Sequence, residues 1–261
     1  MNITENNYDA GRLMNTFVFL DQISDKYYQI YARIKSQPHI GTFQVFTSLT
    51  YKERYINTLF TAIQEAYASC LQEYKSDLPS TYRGNIIGSS DGGLAMELGN
   101  ISIYKMKIED LVFQMRIVVD TLVQLIYIAR FNSEFHHTKI VRCDSIGTVL
   151  SELKKSSPSK EGEELGKLIN GDGVDYDADN TKFLEVLNEL FNSMKHCTSH
   201  NEAYTAFGYE YPTILSIYVP RNDYGKDIVY HNHNLYHIMM GFQDNVARLQ
   251  NNLAKFLNLH P

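Results

Sequence analysis

Apolar residues recur at three- and four-residue intervals along most of the chain. This interval places side chains on one face of an α-helix. The longest such stretches cover residues 13–34, 56–74, 104–131, 183–194 and 235–257. Pro38 and Pro79 follow the first two stretches, and the residue before a proline disfavours the helical conformation. The pattern therefore predicts a mainly α protein, a helical bundle of about five to six long helices.

Other segments depart from the helical interval. Residues 80–100 carry clustered glycines and turn residues, which favours a loop or a short hairpin. Residues 211–220 and 227–231 are rich in β-branched and aromatic residues and flank a turn, so they predict a small C-terminal β-hairpin. Residues 146–153 predict a short helix that runs into a surface connection at 156–162.

The same pattern suggests a division of the chain near residue 100. We expect an N-terminal helical region at 1–100 that packs on the core, and a second helical domain at 101–261 that contains the hairpin. One continuous domain fits the pattern as well. A chain of 261 residues is long enough to bury a sizeable core in either arrangement.

The helix at 182–200 combines a regular apolar stripe with polar groups able to do chemistry. Its apolar positions are Phe183, Leu184, Leu187, Leu190, Phe191 and Met194. The opposite side carries Asn188, Asn192, Lys195, His196 and Ser199. A cation, histidines and amides grouped at one helix end make this segment the candidate functional site.

Asp120 lies inside the apolar stretch at 104–131. A buried ionised carboxylate needs a cation or a full set of hydrogen bonds. Lys195, Arg116 or a histidine would supply such a partner, and Asp120 then supports the site from behind. Alternatively, the carboxylate reaches solvent from the edge of the helix.

Composition and charge limit the function classes. A net charge of −6 and a pI near 5.8 argue against the broad basic surface that non-specific duplex DNA binding needs. Three unpatterned cysteines and an N-terminus without the features of a signal peptide favour a reducing cytoplasm. The most apolar segment, 117–129, is too short to span a bilayer, so we expect no membrane helix.

The segment Lys195-His-Cys-Thr-Ser-His200 places a cation, a polar residue and, five positions after the cation, a histidine at the end of a long helix. This arrangement resembles the mark of the HEPN superfamily, an arginine followed by a polar residue and then by a histidine after four to six positions. The resemblance covers about residues 101–261. It implies a helical bundle that dimerises and forms either a metal-independent ribonuclease site or a non-catalytic RNA-binding module, often in toxin, antiphage or stress systems.

Lys195 stands where the superfamily has arginine, so phosphate would be held by a point charge rather than by a two-pronged guanidinium. His200 suits general acid or base work, with Lys195 and His196 beside it and Asn192 one turn earlier. Five residues correspond to about 140° around a helix, so Lys195 and His200 cannot converge on a straight helix. Either the helix ends near His196 or a second protomer completes the site. Neither arrangement needs a metal or another cofactor. The alternative is that both side chains are solvated groups at a helix C-terminus, where cations favour the dipole.

Two other function classes remain. Five histidines, with a cysteine and a glutamate nearby, suggest a zinc or iron site, although no complete metal motif is present. These residues are His196, His200, His231, His233, His237, Cys197 and Glu202. The other class is a non-catalytic, dimeric protein-interaction module in which nineteen tyrosines and thirteen phenylalanines pack helices or form a partner surface.

Overall fold

A computed structural model describes residues 43–77, 86–88, 94–96, 101–131, 135, 137, 138, 140–170, 178–196, 212–219, 223, 225 and 229–256. The helices there are α1 (Phe43–Asp77), α2 (Ile101–Arg130), α3 (Ile146–Leu153), α4 (Lys160–Asn170), α5 (Ala178–His196) and α6 (Leu235–Phe256). The strands there are β1 (Ile86–Gly88), β2 (Leu94–Met96), β3 (Thr213–Tyr218) and β4 (Val229–Asn234). Each strand pair is an antiparallel hairpin.

The prediction of a mainly α bundle with a small C-terminal hairpin is confirmed, and β1–β2 supplies the short hairpin expected within residues 80–100. The helix predicted at 13–34 lies outside the described residues. α1 begins at Phe43, earlier than its apolar stripe suggested, and ends two residues before Pro79, as the proline indicated.

One of the described helices, α4, was not predicted. α4 begins where a surface connection was expected, and it is amphipathic, with Leu165 and Ile169 buried one turn apart. Ser159 caps it, because its Oγ accepts a hydrogen bond from the backbone N–H of Gly162 at 3.0 Å. The serine, followed by Glu161 and Glu163 in the first turn, is the sequence signal that marks this helix start.

The described residues fall into two compact units. The first lies within residues 1–54, 118–184 and 239–261, and the second within 55–117 and 185–238. The boundaries fall inside α1, α2, α5 and α6, so each of these helices contributes residues to both units. The predicted division near residue 100 stays a prediction.

The core of the first unit comes from α2, α3, α4 and α6. Its fully buried apolar residues include Val118, Val119, Leu122, Tyr127, Leu165, Phe242, Val246 and Leu249. Gly241 on α6 lets that helix approach α5 closely, since a Cβ there would lie 2.5 Å from Cδ2 of Phe183. A larger residue at this position would force the two helices apart.

The second unit joins α1, α2, α5, the β3–β4 hairpin and the start of α6. The hydroxyl of Tyr104 on α2 accepts a hydrogen bond from the backbone N–H of Thr213 at 3.0 Å and donates to the carbonyl of the same residue. Gln64 on α1 donates to the hydroxyl of Tyr236 at 2.8 Å. These contacts fix the hairpin and the first turn of α6 against the long helices.

α2 is long and apolar enough to cross a membrane by length and composition alone. In the most apolar window of this helix, 61% of the residues are buried inside the protein. The core helix of a soluble protein passes the same test, so this is weak evidence in either direction.

Candidate functional site

The C-terminal half of α5 lies in the second unit and presents polar residues on two sides. One side, the cationic face, consists of Asn188, Phe191, Asn192 and Lys195, which follow one another at helical spacing. The other side, the hairpin face, consists of Glu189 and Ser193, one turn apart, and contacts the β3–β4 hairpin.

Two cations lie close to the ring of Phe191 on the cationic face. The ammonium of Lys195, an exposed residue, lies 6.0 Å from the ring centroid, and the guanidinium carbon of Arg116 on α2 lies 5.1 Å from it. The ring of Phe113 packs against Phe191 at a centroid distance of 4.9 Å. Both cation distances are in the range where the electron-rich ring face attracts positive charge.

Arg116 is buried, with 5% of its surface exposed, and a hydrogen bond holds its side chain in place. Its Nη1 donates a hydrogen bond of 2.6 Å to Oδ1 of Asn188, which draws the guanidinium to the cationic face. An arginine side chain is a permanent cation in proteins. The cationic face therefore combines fixed positive charge, a half-buried aromatic ring and the amide groups of Asn188 and Asn192.

The hairpin face is built from buried polar groups. Ser193 is 0% exposed, and its Oγ donates to the carbonyl of Leu190 at 2.7 Å while lying 2.5 Å from Oγ of Ser216 on β3. A hydroxyl has only one proton, so Ser216 is the donor in the serine pair. This contact ties the hairpin to α5.

Glu189 of the hairpin face lies next to two histidines of β4. Oε2 of Glu189 lies 3.4 Å from Nε2 of His231, and Nδ1 of His231 lies 3.0 Å from Nε2 of His233. Both histidines are on β4, two positions apart, so they project from the same side of the strand. The three side chains thus form a row from α5 across the hairpin.

Burial keeps these histidines neutral. Burial, with a smaller contribution from neighbouring His233, lowers the pKa of His231 to about 4. Burial also lowers the pKa of His233 and of His237. At neutral pH each therefore has one nitrogen that carries a proton and one that carries a lone pair.

The predicted site residues fall into two groups. Lys195 and Asn192 lie on the cationic face, Lys195 exposed and Asn192 half-buried. His196 is the last residue of α5, but its side chain and the whole of His200 lie outside the described residues. The convergence of Lys195 with His200, within one protomer or across two, stays a prediction.

Asp120 lies in the first unit and is half-buried. Its Oδ1 accepts a hydrogen bond of 2.7 Å from the backbone N–H of Ile146, the first residue of α3. Ser145 caps the same helix end by accepting the N–H of Thr148. Asp120 therefore accepts a hydrogen bond from one of the backbone N–H groups that have no partner inside the helix at its N-terminus. Its support of the candidate site stays a prediction.

The zinc or iron site is tested only in part. Within the residues that the structure describes, no three side chains among histidine, cysteine, aspartate and glutamate are grouped to hold a metal ion. The side chains of His196, Cys197, His200 and Glu202 lie outside that part. A metal site that includes them stays a prediction.

Several residues of this region were not predicted from the sequence. Phe191 was assigned to the apolar stripe, and Arg116 was considered only as a partner for Asp120. Glu189 and Ser193 were not singled out, although polar residues one turn apart beside an apolar stripe are a detectable signal. Their burial depends on the hairpin, which no local pattern places on α5.

Comparisons with protein-family models, with curated proteins and with solved structures gave no match. The resemblance to the HEPN superfamily therefore rests on the Lys195 to His200 segment and its helical setting.

Proposed function

We propose that this protein is a HEPN-like RNA-binding protein that acts as a metal-independent endoribonuclease, with its site at the C-terminal end of α5. The observation that carries the proposal is the cluster formed by Lys195, Phe191 and Arg116. A cation beside an aromatic ring is the pairing with which proteins bind single-stranded nucleic acid, because the charge holds phosphate and the ring stacks on a base.

The rest of the cationic face fits the same ligand. The exposed ammonium of Lys195 is the group that meets phosphate, and Arg116 adds positive potential from below the surface. The amide of Asn192 is able to hydrogen-bond to base edges or to a ribose hydroxyl. The charge is local, which agrees with the acidic chain as a whole and with a single strand rather than a broad duplex surface.

The proposed reaction is an internal transesterification. A general base takes the proton of a ribose 2′-hydroxyl, the 2′-oxygen attacks the adjacent phosphorus, and the bond to the 5′-oxygen breaks as an acid protonates that oxygen. The products are a 2′,3′-cyclic phosphate and a free 5′-hydroxyl. His200 and His196 are the proposed acid and base, Lys195 stabilises the charge on phosphate, and Asn192 positions the substrate.

We further propose that the active form is a homodimer in the cytoplasm, of the kind that serves in toxin, antiphage or stress systems. Lys195 and His200 are five positions apart, a spacing at which two side chains diverge by about 140° on a straight helix, and a second protomer is one way to complete the site. Light scattering on the full chain at high micromolar concentration tests this. A dimer is expected, and a strict monomer would rule out the composite site.

The cleavage test uses single-stranded RNA with the wild type, His200→Ala, Lys195→Ala and Lys195→Arg, each with and without a chelator. We expect His200→Ala to abolish cleavage, Lys195→Ala to reduce both cleavage and binding, and Lys195→Arg to keep or raise activity because it restores a two-pronged grip on phosphate. Cleavage should survive the chelator and leave cyclic phosphate ends. Equal background cleavage by all four proteins would overturn the enzymatic part of the proposal.

The binding part has its own control. Lys167→Ala removes one exposed positive charge from α4 in the first unit, so it changes the net charge by the same amount as Lys195→Ala does. Fluorescence anisotropy with labelled single-stranded RNA should show weaker binding for Lys195→Ala and unchanged binding for Lys167→Ala. Equal affinities would overturn RNA binding at this face and leave the dimeric interaction module in its place.

A further inference from the structure

The pair of histidines on β4 has a geometry that RNA binding at the cationic face does not use. Nδ1 of His231 and Nε2 of His233 face each other at 3.0 Å. In the antiparallel register, His231 lies opposite Ser216 and His233 opposite Ile214, both of them buried residues that hold this side of the hairpin firmly in the second unit. The two nitrogens are therefore held together by the strand rather than by a flexible loop.

Glu189 lies beside the ring of His231 and favours one of its two tautomers by charge. Its carboxylate oxygen lies 3.4 Å from Nε2, and a carboxylate beside one ring nitrogen favours the tautomer with the proton on that nitrogen. The lone pair of His231 is then on Nδ1, where it accepts the Nε2 proton of His233. When a metal ion binds, this proton moves to Nδ1 of His233, which gives the other tautomer of the neutral ring. A carboxylate behind an imidazole whose other nitrogen is free to coordinate is the usual arrangement around a metal-binding histidine.

We propose that Nδ1 of His231 and Nε2 of His233 chelate a divalent transition-metal ion, Cu²⁺ or Ni²⁺, with Glu189 as the positioning carboxylate. With metal–nitrogen bonds of about 2.05 Å, nitrogens 3.0 Å apart subtend an angle of about 94° at the ion. This angle is near the 90° between neighbouring ligands of a square-planar or tetragonal ion and below the angle of a tetrahedral one. The geometry therefore favours Cu²⁺ and Ni²⁺ over Zn²⁺.

The surroundings fit a bound cation. Glu189 offsets part of the ion's charge. Among the residues that the structure describes, no group of three or more histidine, cysteine, aspartate or glutamate side chains is placed to hold a metal ion, so the proposed site has two protein ligands there.

The test uses the full chain without a histidine tag, stripped of metal with a chelator and then titrated with CuCl₂ or NiCl₂ by calorimetry. We expect one equivalent of either ion to bind. The electron paramagnetic resonance spectrum of the Cu²⁺ form should show two coordinating nitrogens. His233→Gln and His231→Asn keep a hydrogen-bonding amide near the lost nitrogen but cannot replace imidazole as a ligand, and each should abolish this binding step.

Glu189→Gln tests the positioning role. It keeps both ligands but removes the carboxylate, and the affinity should fall by about tenfold or more. His137→Gln, which replaces an exposed histidine, is the control and should leave the titration unchanged. Circular dichroism at 222 nm checks that each variant is folded. Should His231→Asn unfold, the half-exposed His233→Gln decides the question by itself.

Two outcomes would overturn the proposal. The first is no binding of either ion by the wild type at tenfold excess, which would make the histidine contact a hydrogen bond only. The second is equal binding by the wild type and His233→Gln, which would place the metal at another histidine. Neither result bears on RNA binding, because the readout is the metal and not the nucleic acid.

Discussion

The cationic face and the hairpin face of α5 both carry polar residues, but these residues lie in different surroundings. Ser193 is fully buried against Ser216, whereas Lys195, two residues later, is exposed beside Phe191. Polar groups occur on both sides of the helix at one-turn intervals. The hairpin covers one of these sides, and the other side is left accessible.

This difference in burial separates the polar residues that stabilise the fold from those that are available to bind a ligand. A buried polar group costs free energy unless it is hydrogen-bonded, so the hairpin face is committed to its partners on β3 and β4. An exposed lysine gives little stability, because water and salt screen its charge. We therefore expect changes in the hairpin face to affect stability and changes in the cationic face to affect RNA affinity.

Acidification should give the largest loss in the free energy of unfolding, and it acts through His231, which lies next to the hairpin face. The pKa of His231 falls from 6.5 in the unfolded chain to about 4 in the folded protein, so the unfolded state binds the proton more tightly. The stability is fully present above pH 6.5 and is lost as the pH falls toward 4, by about 3 kcal/mol for this residue. Urea unfolding at pH 7, 6, 5 and 4 measures the loss.

His231→Asn is the control for acidification, because it removes the titrating ring. The decline between pH 6.5 and 4 should become shallower in this variant. An identical decline in the wild type and in His231→Asn would show that other groups cause it.

Ser193→Ala should give the next largest effect. It leaves the buried hydroxyl of Ser216 without its acceptor, at a cost of about 1–3 kcal/mol in the free energy of unfolding. The double variant Ser193→Ala/Ser216→Ala removes both hydroxyls and should cost less than the sum of the single variants. Urea unfolding of the three variants at pH 7 measures this coupling. Additive losses would contradict the serine contact.

Phe191→Leu should act mainly on RNA affinity. Leucine keeps apolar contact with Phe113 but cannot stack on a base, and stacking contributes about 1–3 kcal/mol per base. We expect an affinity for single-stranded RNA about tenfold lower, with an unfolding midpoint close to that of the wild type. An unchanged affinity would show that RNA bases do not stack on Phe191.

Lys195→Ala should give the smallest change in stability, within about 0.5 kcal/mol, because the side chain is exposed. Its effect should appear instead in the salt dependence of RNA binding. The slope of log affinity against log salt concentration should fall by about one if Lys195 contacts one phosphate. A slope equal to that of the wild type would show that Lys195 does not contact an RNA phosphate.

Much of the fold follows from local pattern. The stripes at 104–131, 183–194 and 235–257 predicted α2, α5 and α6, because burial of one face forces apolar residues into the helical period. α4 was missed because it is short and its apolar residues are few, so its capping serine was the stronger signal. Part of the candidate site was also readable, since Lys195 and Asn192 were found from helical spacing.

Local patterns in the sequence predict which residues share a side of one helix or strand. Helical spacing placed Lys195 near Phe191, and strand alternation placed His231 near His233. Only the tertiary structure decided that Arg116 approaches the Phe191 ring from another helix, and that β3–β4 buries Glu189 and Ser193 in different degrees. The physical reason is that periodicity records the geometry of one element, whereas burial and pKa depend on which distant segment covers it. In this chain hydrogen-bonded partners are separated by up to 172 positions, as Gln64 and Tyr236 are, and no local pattern carries that information.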